Sequence, residues 1–303
     1  MNKKAFLLAI FTIAIWGSSF AAIRASLQGG YSPGHLVLLR FLIASSVFII
    51  YALWPGSRFR LPRREDVWKV MVLGLVGISI YQLGVTFGAE TVSAGTSSML
   101  VASAPIFTAL IAVIVLKERL SVYGWLGMFI GFIGIFVITL GTAGPAFHIS
   151  KGALFVLIAA IATSCFFVFQ KPFLKRYNPI ELTAYVTWAG TLPFFIFFPG
   201  LFESVQAATL EANLSTLYTG IFPGAIAYVT WAAALSLGNA GSISSTMYVE
   251  PVFAIFVAWI WLHEWPSTLS IIGGIIAVSS VIIVNLFGKR QPAAVPEEAR
   301  NSV

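Results

Sequence analysis

Residues 94–121 read AGTSSMLVASAPIFTALIAVIVLKERLS, and residues 240–267 read AGSISSTMYVEPVFAIFVAWIWLHEWPS. Set together without a gap, they share Ala-Gly at the start and place Pro105-Ile106-Phe107 on Pro251-Val252-Phe253. Leu116, Glu118 and Ser121 then fall on Leu262, Glu264 and Ser267. The same offset of 146 residues holds outward in both directions. Tyr31-Ser32-Pro33 meets Tyr177-Asn178-Pro179, Ser18 and Phe20 meet Ser164 and Phe166, and Gly74 meets Gly220. One gap-free offset through all of these is an internal duplication.

Both copies are too apolar for water. The 303 residues are 58% hydrophobic and 10% charged, with a mean hydropathy of +0.92, whereas a soluble domain carries roughly 25% charged residues. The chain therefore reads as an all-α integral membrane protein, which excludes most soluble enzymes and DNA-binding proteins. Ten continuous apolar stretches each approach the ~20 residues that a bilayer requires: 5–25, 34–54, 67–87, 93–116, 122–141, 152–170, 180–200, 213–236, 242–262 and 268–287. Lys3 and Lys4 before the first stretch resemble a signal peptide, but an even span count with both termini on the positive side requires that it be kept.

The net charge of +7 is then a topology signal, not a nucleic-acid footprint. With a cytoplasmic N-terminus, fifteen of the eighteen Lys and Arg fall in inside segments. Lys151 lies in an outer loop, and Arg24 and Arg40 lie within the first two spans. Five spans per copy force the copies into opposite orientations. Residues 57–66 accordingly carry Arg58, Arg60, Arg63 and Arg64, while their counterparts 203–212 carry Glu203 and Glu211 and no base. Lys117-Glu118-Arg119 likewise becomes His263-Glu264-Trp265. The sequence predicts two inverted five-helix repeats, 1–145 and 146–288, with both termini cytoplasmic and a disordered polar tail at 289–303. Inverted repeats characterise secondary transporters, in which the halves exchange conformations around a central site.

The chain resembles the paired EamA domains of the drug/metabolite transporter superfamily. Trp16-Gly17-Ser18-Ser19-Phe20, Leu39-Arg40-Phe41, Ala104-Pro105 through Leu116-Lys117-Glu118-Arg119-Leu120, and Val249-Glu250-Pro251-Val252 through Leu262-His263-Glu264 carry the likeness over residues 5–287. The resemblance implies ten helices around a central cavity in the inner membrane, and export of small metabolites, often amino acids. The second copy departs from the pattern at Trp265-Pro266, and Val186 stands opposite Arg40. Other members handle sugars, nucleotide sugars, lipids and drugs, which leaves the substrate class open.

Glu250 is the only carboxylate deep inside a span, eight residues or about 12 Å from its cytoplasmic end. Thr246, Ala254 and Ala258 share its face, which is small and points inward. It reads either as a partner for a substrate ammonium or a proton carrier, or as a structural group bonding a carbonyl freed by Pro251. Its counterpart is Ala104. Arg40 lies about 10 Å below the outer end of the second span; it reads as a carboxylate clamp or as a snorkelling anchor. Arg24, nearer the outer end, reads as interfacial. Pro105 and Pro251 mark matched kinks bordering the cavity.

Trp16, Tyr81, Gln82, Tyr228 and Trp231 lie within spans, where their polar atoms need interior partners. The offset pairs Gln82 with Tyr228 as facing cavity walls, and Ser18 with Ser164, hydroxyls that read either as cavity lining or as bonded within their own helices. Gly127 and Gly131 in the fifth span match Gly273 and Ala277 in the tenth; this spacing favours packing within the chain over a homodimer through the same faces.

His35, His148 and His263 stand apart at outer ends, the single Cys165 excludes disulfides and four-cysteine zinc sites, and no phosphate-binding loop appears. Neither an enzyme nor a metal or cofactor is expected. The partners are a small-molecule substrate and the lipid bilayer, with no nucleic acid. The sequence thus predicts an inner-membrane secondary transporter of a small metabolite, an amino acid foremost, exported by alternating access. Amphipathic cations, other polar metabolites and a lipid-handling or non-transporting scaffold are the alternatives.

Overall fold

The computed structural model describes residues 3–57, 59–115, 121–141, 150–237 and 245–287. Arg58, the basic motif at 117–119, His148, Ala240-Gly241 and the tail at 289–303 lie outside the described residues. Twelve helices follow in order, with no strand among the described residues. They are α1 (Lys3–Gln28), α2 (Pro33–Leu53), α3 (Arg64–Gly88), α4 (Ala94–Val101), α5 (Ala104–Val115), α6 (Val122–Leu140), α7 (Lys151–Gln170), α8 (Pro179–Thr191), α9 (Leu201–Ala207), α10 (Leu210–Leu237), α11 (Glu250–Leu262) and α12 (Thr268–Phe287). Seven segments are long and apolar enough to cross a membrane, among them α1, α2, α3, α6 and α10, and shorter apolar helices accompany them.

Local sequence sets the helix starts. Ser32 caps α2 by accepting from the His35 amide, and Pro33 opens its first turn. Asn178 and Glu181 form a reciprocal capping box on α8, again with proline in the first turn, where its missing N–H costs nothing. The tyrosine before each cap reaches into the other copy. Tyr31 donates to the Asn213 side chain and Tyr177 to Asp66 Oδ2 at 2.8 Å.

The interior is inverted relative to a soluble core. Small and hydroxylated side chains, including Thr12, Ser26, Thr86, Ser97, Ser98 and Thr216, are buried, whereas Phe129, Ile133 and Phe136 on α6 and Leu154, Phe155 and Ile158 on α7 point outward. An apolar exterior of this extent would aggregate in water; in hydrocarbon it is the ordinary surface.

Packing interleaves the copies: α1 lies against α10 and α11, and α7 lies against α3 and α5. Glycines permit the closest approaches. A Cβ on Gly74 would lie 2.5 Å from the Val186 carbonyl oxygen, and one on Gly220 would lie 2.8 Å from that of Arg40. Both pairs are related by the same offset.

The small faces of the fifth and tenth spans meet within the chain, as α6 on α12. A Cβ on Gly134 would lie 2.6 Å from the Ala277 nitrogen, and one on Gly273 would lie 2.5 Å from the Ile138 nitrogen. Neither backbone can yield, so Gly134→Leu is expected to cost at least the ~1–3 kcal/mol of overpacking, read as a lower melting temperature in detergent or loss of monodisperse protein.

Three expected spans differ in form. The fourth and ninth are broken where kinks are expected. The chain leaves the helix at Ala102 and Ser103 and restarts at Ala104. In the second copy a 3₁₀ turn, Ser245–Val249, leads into α11 at Glu250. Each proline falls in a new first turn, where it is tolerated without bending a continuous helix. The seventh span ends α8 at Thr191 and continues as a 3₁₀ segment, Leu192–Phe197, around Pro193.

The third and eighth spans carry a winding that the sequence did not announce. Leu75–Ile80 and Phe222–Ile226 are π-helical, at corresponding positions of the two copies. Such i→i+5 turns widen the helix and are frequent at functional sites.

Candidate functional site

Directly after those two π segments come Tyr81-Gln82 on α3 and Tyr228 on α10. Gln82 Nε2 donates to the Tyr228 hydroxyl at 3.1 Å, between residues that the offset makes equivalent. Ser45 and Thr191, a second equivalent pair, approach within 3.2 Å. Around the first pair lies a chamber lined by Trp16, Ser19, Phe20, Ile23, Arg40, Tyr81, Gln82, Val85 and Pro223. Its volume is about 10 Å³, room for one water at most. The site is closed down around its own side chains.

Arg40 projects from α2 into this wall and is 2% exposed. Its Nη1 donates to Thr86 Oγ1 over a long 3.4 Å, and its Nε has no hydrogen-bond partner. No carboxylate pairs with it among the described residues. Glu250, 1% exposed at the start of α11, leaves Oε2 without a partner. Gly17 lets α1 meet α11 here, since a Cβ on it would lie 3.0 Å from the Glu250 carbonyl oxygen. Tyr81 and Tyr228 both lie within electrostatic reach of Arg40 and of Glu250. A cation and a carboxyl, each with an unpartnered polar atom, thus act on one pair of phenols.

Trp16 closes another side. Its indole Nε1 donates to the Pro223 carbonyl at 3.4 Å, an oxygen on the π segment of α10. Its ring meets Tyr228 edge-on at 5.4 Å and Trp231 at 5.3 Å. Trp231 is 1% exposed, with its Nε1 unpartnered. Trp16, Arg40, Tyr81, Gln82, Tyr228, Trp231 and Glu250 are therefore brought into one neighbourhood.

The two serines are placed elsewhere. Ser18 bonds the Ile15 carbonyl at 2.8 Å and the Tyr218 hydroxyl at 2.6 Å, forming a seam between α1 and α10; its neighbour Ser19 lines the chamber. Ser164 lies 2.7 Å from the Ala104 carbonyl and 2.6 Å from that of Ala160. There it occupies the carbonyl at the helix break in the first copy, the position equivalent to Glu250. Pro105 and Pro251 stand in the first turns of α5 and α11.

Both ends of the bundle are tied. Arg24 pairs with Glu264 at 2.6 Å and donates to the Ala89 and Glu90 carbonyls at 2.8 and 3.2 Å. Glu264 Oε2 also accepts from the Ala94 amide at 3.3 Å. Arg24, expected as an interfacial residue, joins α1 to the start of α4 and to the segment after α11. At the opposite end, Asp66 has no exposed side-chain surface and accepts from Tyr177 at 2.8 Å and from Arg176 Nη1 at 3.2 Å. Burial raises the Tyr177 phenol above its ordinary pKa, which keeps it a donor to Asp66 while it accepts from the Arg63 amide at 3.1 Å. The spacing of Arg24 and Glu264 in sequence gave no sign of their contact.

Two successive segments, 3–140 and 150–286, match the EamA-like transporter family. The chain belongs to that family. Among curated relatives it is 37% identical over 274 residues to the uncharacterized transporter YdfC of Bacillus subtilis, covering 90% of this chain and 88% of that one. It is 34% identical to a probable terminal-alkyne amino-acid exporter of Streptantibioticus cattleyicolor, over 97% of this chain and 98% of the relative. A crystal structure of a protein 20% identical in sequence superposes with a TM-score of 0.63, covering 94% of this chain and 97% of the other. That likeness concerns the fold. The chain is a multi-pass membrane transporter of the EamA family.

Proposed function

We propose that this protein is a secondary transporter that exports an amino acid across the inner membrane by alternating access. Both termini are cytoplasmic in this reading, so the Arg24–Glu264 tie closes the outer end and the Asp66–Tyr177–Arg176 tie the inner one. The observation that carries the proposal is the pair of buried, under-bonded groups. Arg40 holds donors for a carboxylate, and Glu250 an acceptor for an ammonium, and both act on Tyr81 and Tyr228. A zwitterion satisfies both at once, which a simple cation does not.

Inverted repeats support the mechanism. Residues on a two-fold axis meet their own counterparts, as in an isologous interface, and Gln82–Tyr228 and Ser45–Thr191 do so. Rocking of one copy against the other would break one end's tie while keeping the other. The π segments and the breaks before Pro105 and Pro251 supply places for that movement. The name of the Streptantibioticus cattleyicolor relative points to the same substrate class.

The aromatic cluster of Trp16, Tyr228 and Trp231 beside a lone carboxyl favours a second reading, export of an amphipathic cation. Counterflow in proteoliposomes separates the two without assuming an energy source. Preloaded unlabelled amino acids are expected to draw in their labelled form, with aromatic and small polar members included. Counterflow of lipophilic cations with none of any amino acid would select the second reading.

A further inference from the structure

Away from the chamber, a groove of about 450 Å³ runs along the side of the bundle, lined by Leu210, Glu211, Leu214, Ser215, Tyr218 and Trp261. It lies between the first half of α10 and the last turn of α11. Leu210, Leu214 and Tyr218 stand four residues apart and form one continuous face of α10. Leu210 and Leu214 are exposed and almost all the surface offered is apolar. Such a wall in a membrane-spanning helix takes hydrocarbon.

The polar groups in the groove are graded along its length. Glu211 stands at its rim, where Oε1 accepts from the Trp261 indole at 2.6 Å. No basic side chain pairs with Glu211 among the described residues. One turn deeper, about 6 Å along the axis, the Ser215 hydroxyl is 3% exposed and has no partner. A buried hydroxyl left unbonded costs free energy. Below it the lining is apolar, and its back is closed by the Tyr218–Ser18 bond to α1.

We infer that this groove is a binding site for one phospholipid with a primary-ammonium headgroup. The ammonium bonds Glu211, a glycerol-ester carbonyl accepts from Ser215, and one acyl chain lies along Leu214 and Tyr218. The order acid, hydroxyl, hydrocarbon matches the order of groups down such a lipid. The carboxylate repels an anionic headgroup, and a trimethylammonium has no N–H to donate to it. Trp261, on a helix end and fixed by its bond to Glu211, holds the rim at headgroup depth. The inference stands apart from the transported substrate and from which side of the membrane the rim faces.

Purified full-length protein equilibrated with equal amounts of phosphatidylethanolamine, phosphatidylcholine and phosphatidylglycerol of matched acyl chains tests it by native mass spectrometry. The wild type is expected to retain phosphatidylethanolamine at least about fivefold over the other two, the scale of one charge-assisted hydrogen bond at a partly wet site. Glu211→Gln should bring the three to parity with an unchanged melting temperature. Leu214→Trp, which fills the groove, should lower retention of all three. Equal retention by the wild type, a preference for phosphatidylglycerol, or a Glu211→Gln protein that keeps the wild-type preference would overturn the assignment.

Discussion

Arg40→Met is expected to lower counterflow of amino acids by at least about 100-fold, the equivalent of ~2.7 kcal/mol, and to leave the protein folded. The reason lies in what the guanidinium lacks. It carries five N–H donors, yet at 2% exposure it makes one long bond among the described residues and leaves Nε empty. A charge this deep is stabilised only by partners, and no carboxylate supplies them among the described residues. An anchor would have its head in headgroups or water; this one is enclosed by chamber wall. In the proposed transport reading the missing partner is the substrate carboxylate, which the planar fork would bond. Methionine fills similar volume without a charge to desolvate, so stability should hold or rise. Arg40→Lys keeps the charge but loses the fork, and about a tenfold loss is expected of it. Initial counterflow rates, beside melting temperatures of the same preparations, check both. Wild-type rates in the methionine variant would remove Arg40 from the site.

The position of Arg40 also shows where sequence reasoning reaches and where it stops. Its presence within a span marked it, since an intramembrane charge is costly and rarely idle. Its packing was not marked: Gly74 and Gly220 sit at equivalent positions, but their close approaches to Val186 and Arg40 required the fold. The Gln82–Tyr228 contact followed from the duplication, since the offset made the two residues equivalent and set them as facing walls. Other features depend on angles and on distant contacts. Ser18 and Ser19 differ by one step, which is about 100° around a helix, and that step decides between the α1–α10 seam and the chamber. Pro105 and Pro251 announced an irregularity but not its form, because a proline satisfies a kink and a first turn equally well. The π segment before Ala227 holds Pro223 and the one before Tyr81 holds no proline, so the two share no residue signature that announces the winding. Arg24 and Glu264 lie far apart in sequence, and their pairing required the fold.

Glu250 is the second position at which a large effect is expected, and here two roles separate cleanly. Glu250→Gln keeps the shape of the side chain and removes the charge. If the carboxylate receives the substrate ammonium, counterflow should fall by about 100-fold, and a proton gradient should not restore it. That is the expected result, because Glu250 and Arg40 act on the same pair of tyrosines, as the two ends of one zwitterion would. If the residue instead carries a proton, counterflow needs no net proton movement and should survive, while uptake driven by a pH gradient is lost. Survival of both activities would leave a structural role. The first copy bears on that role, since Ala104 stands where Glu250 stands and the Ser164 hydroxyl meets the carbonyl at the break. The same backbone break is therefore accommodated without an acid. A carboxyl with an unpartnered oxygen, placed in only one of two equivalent breaks, is what the proposed substrate role requires and what the backbone break does not.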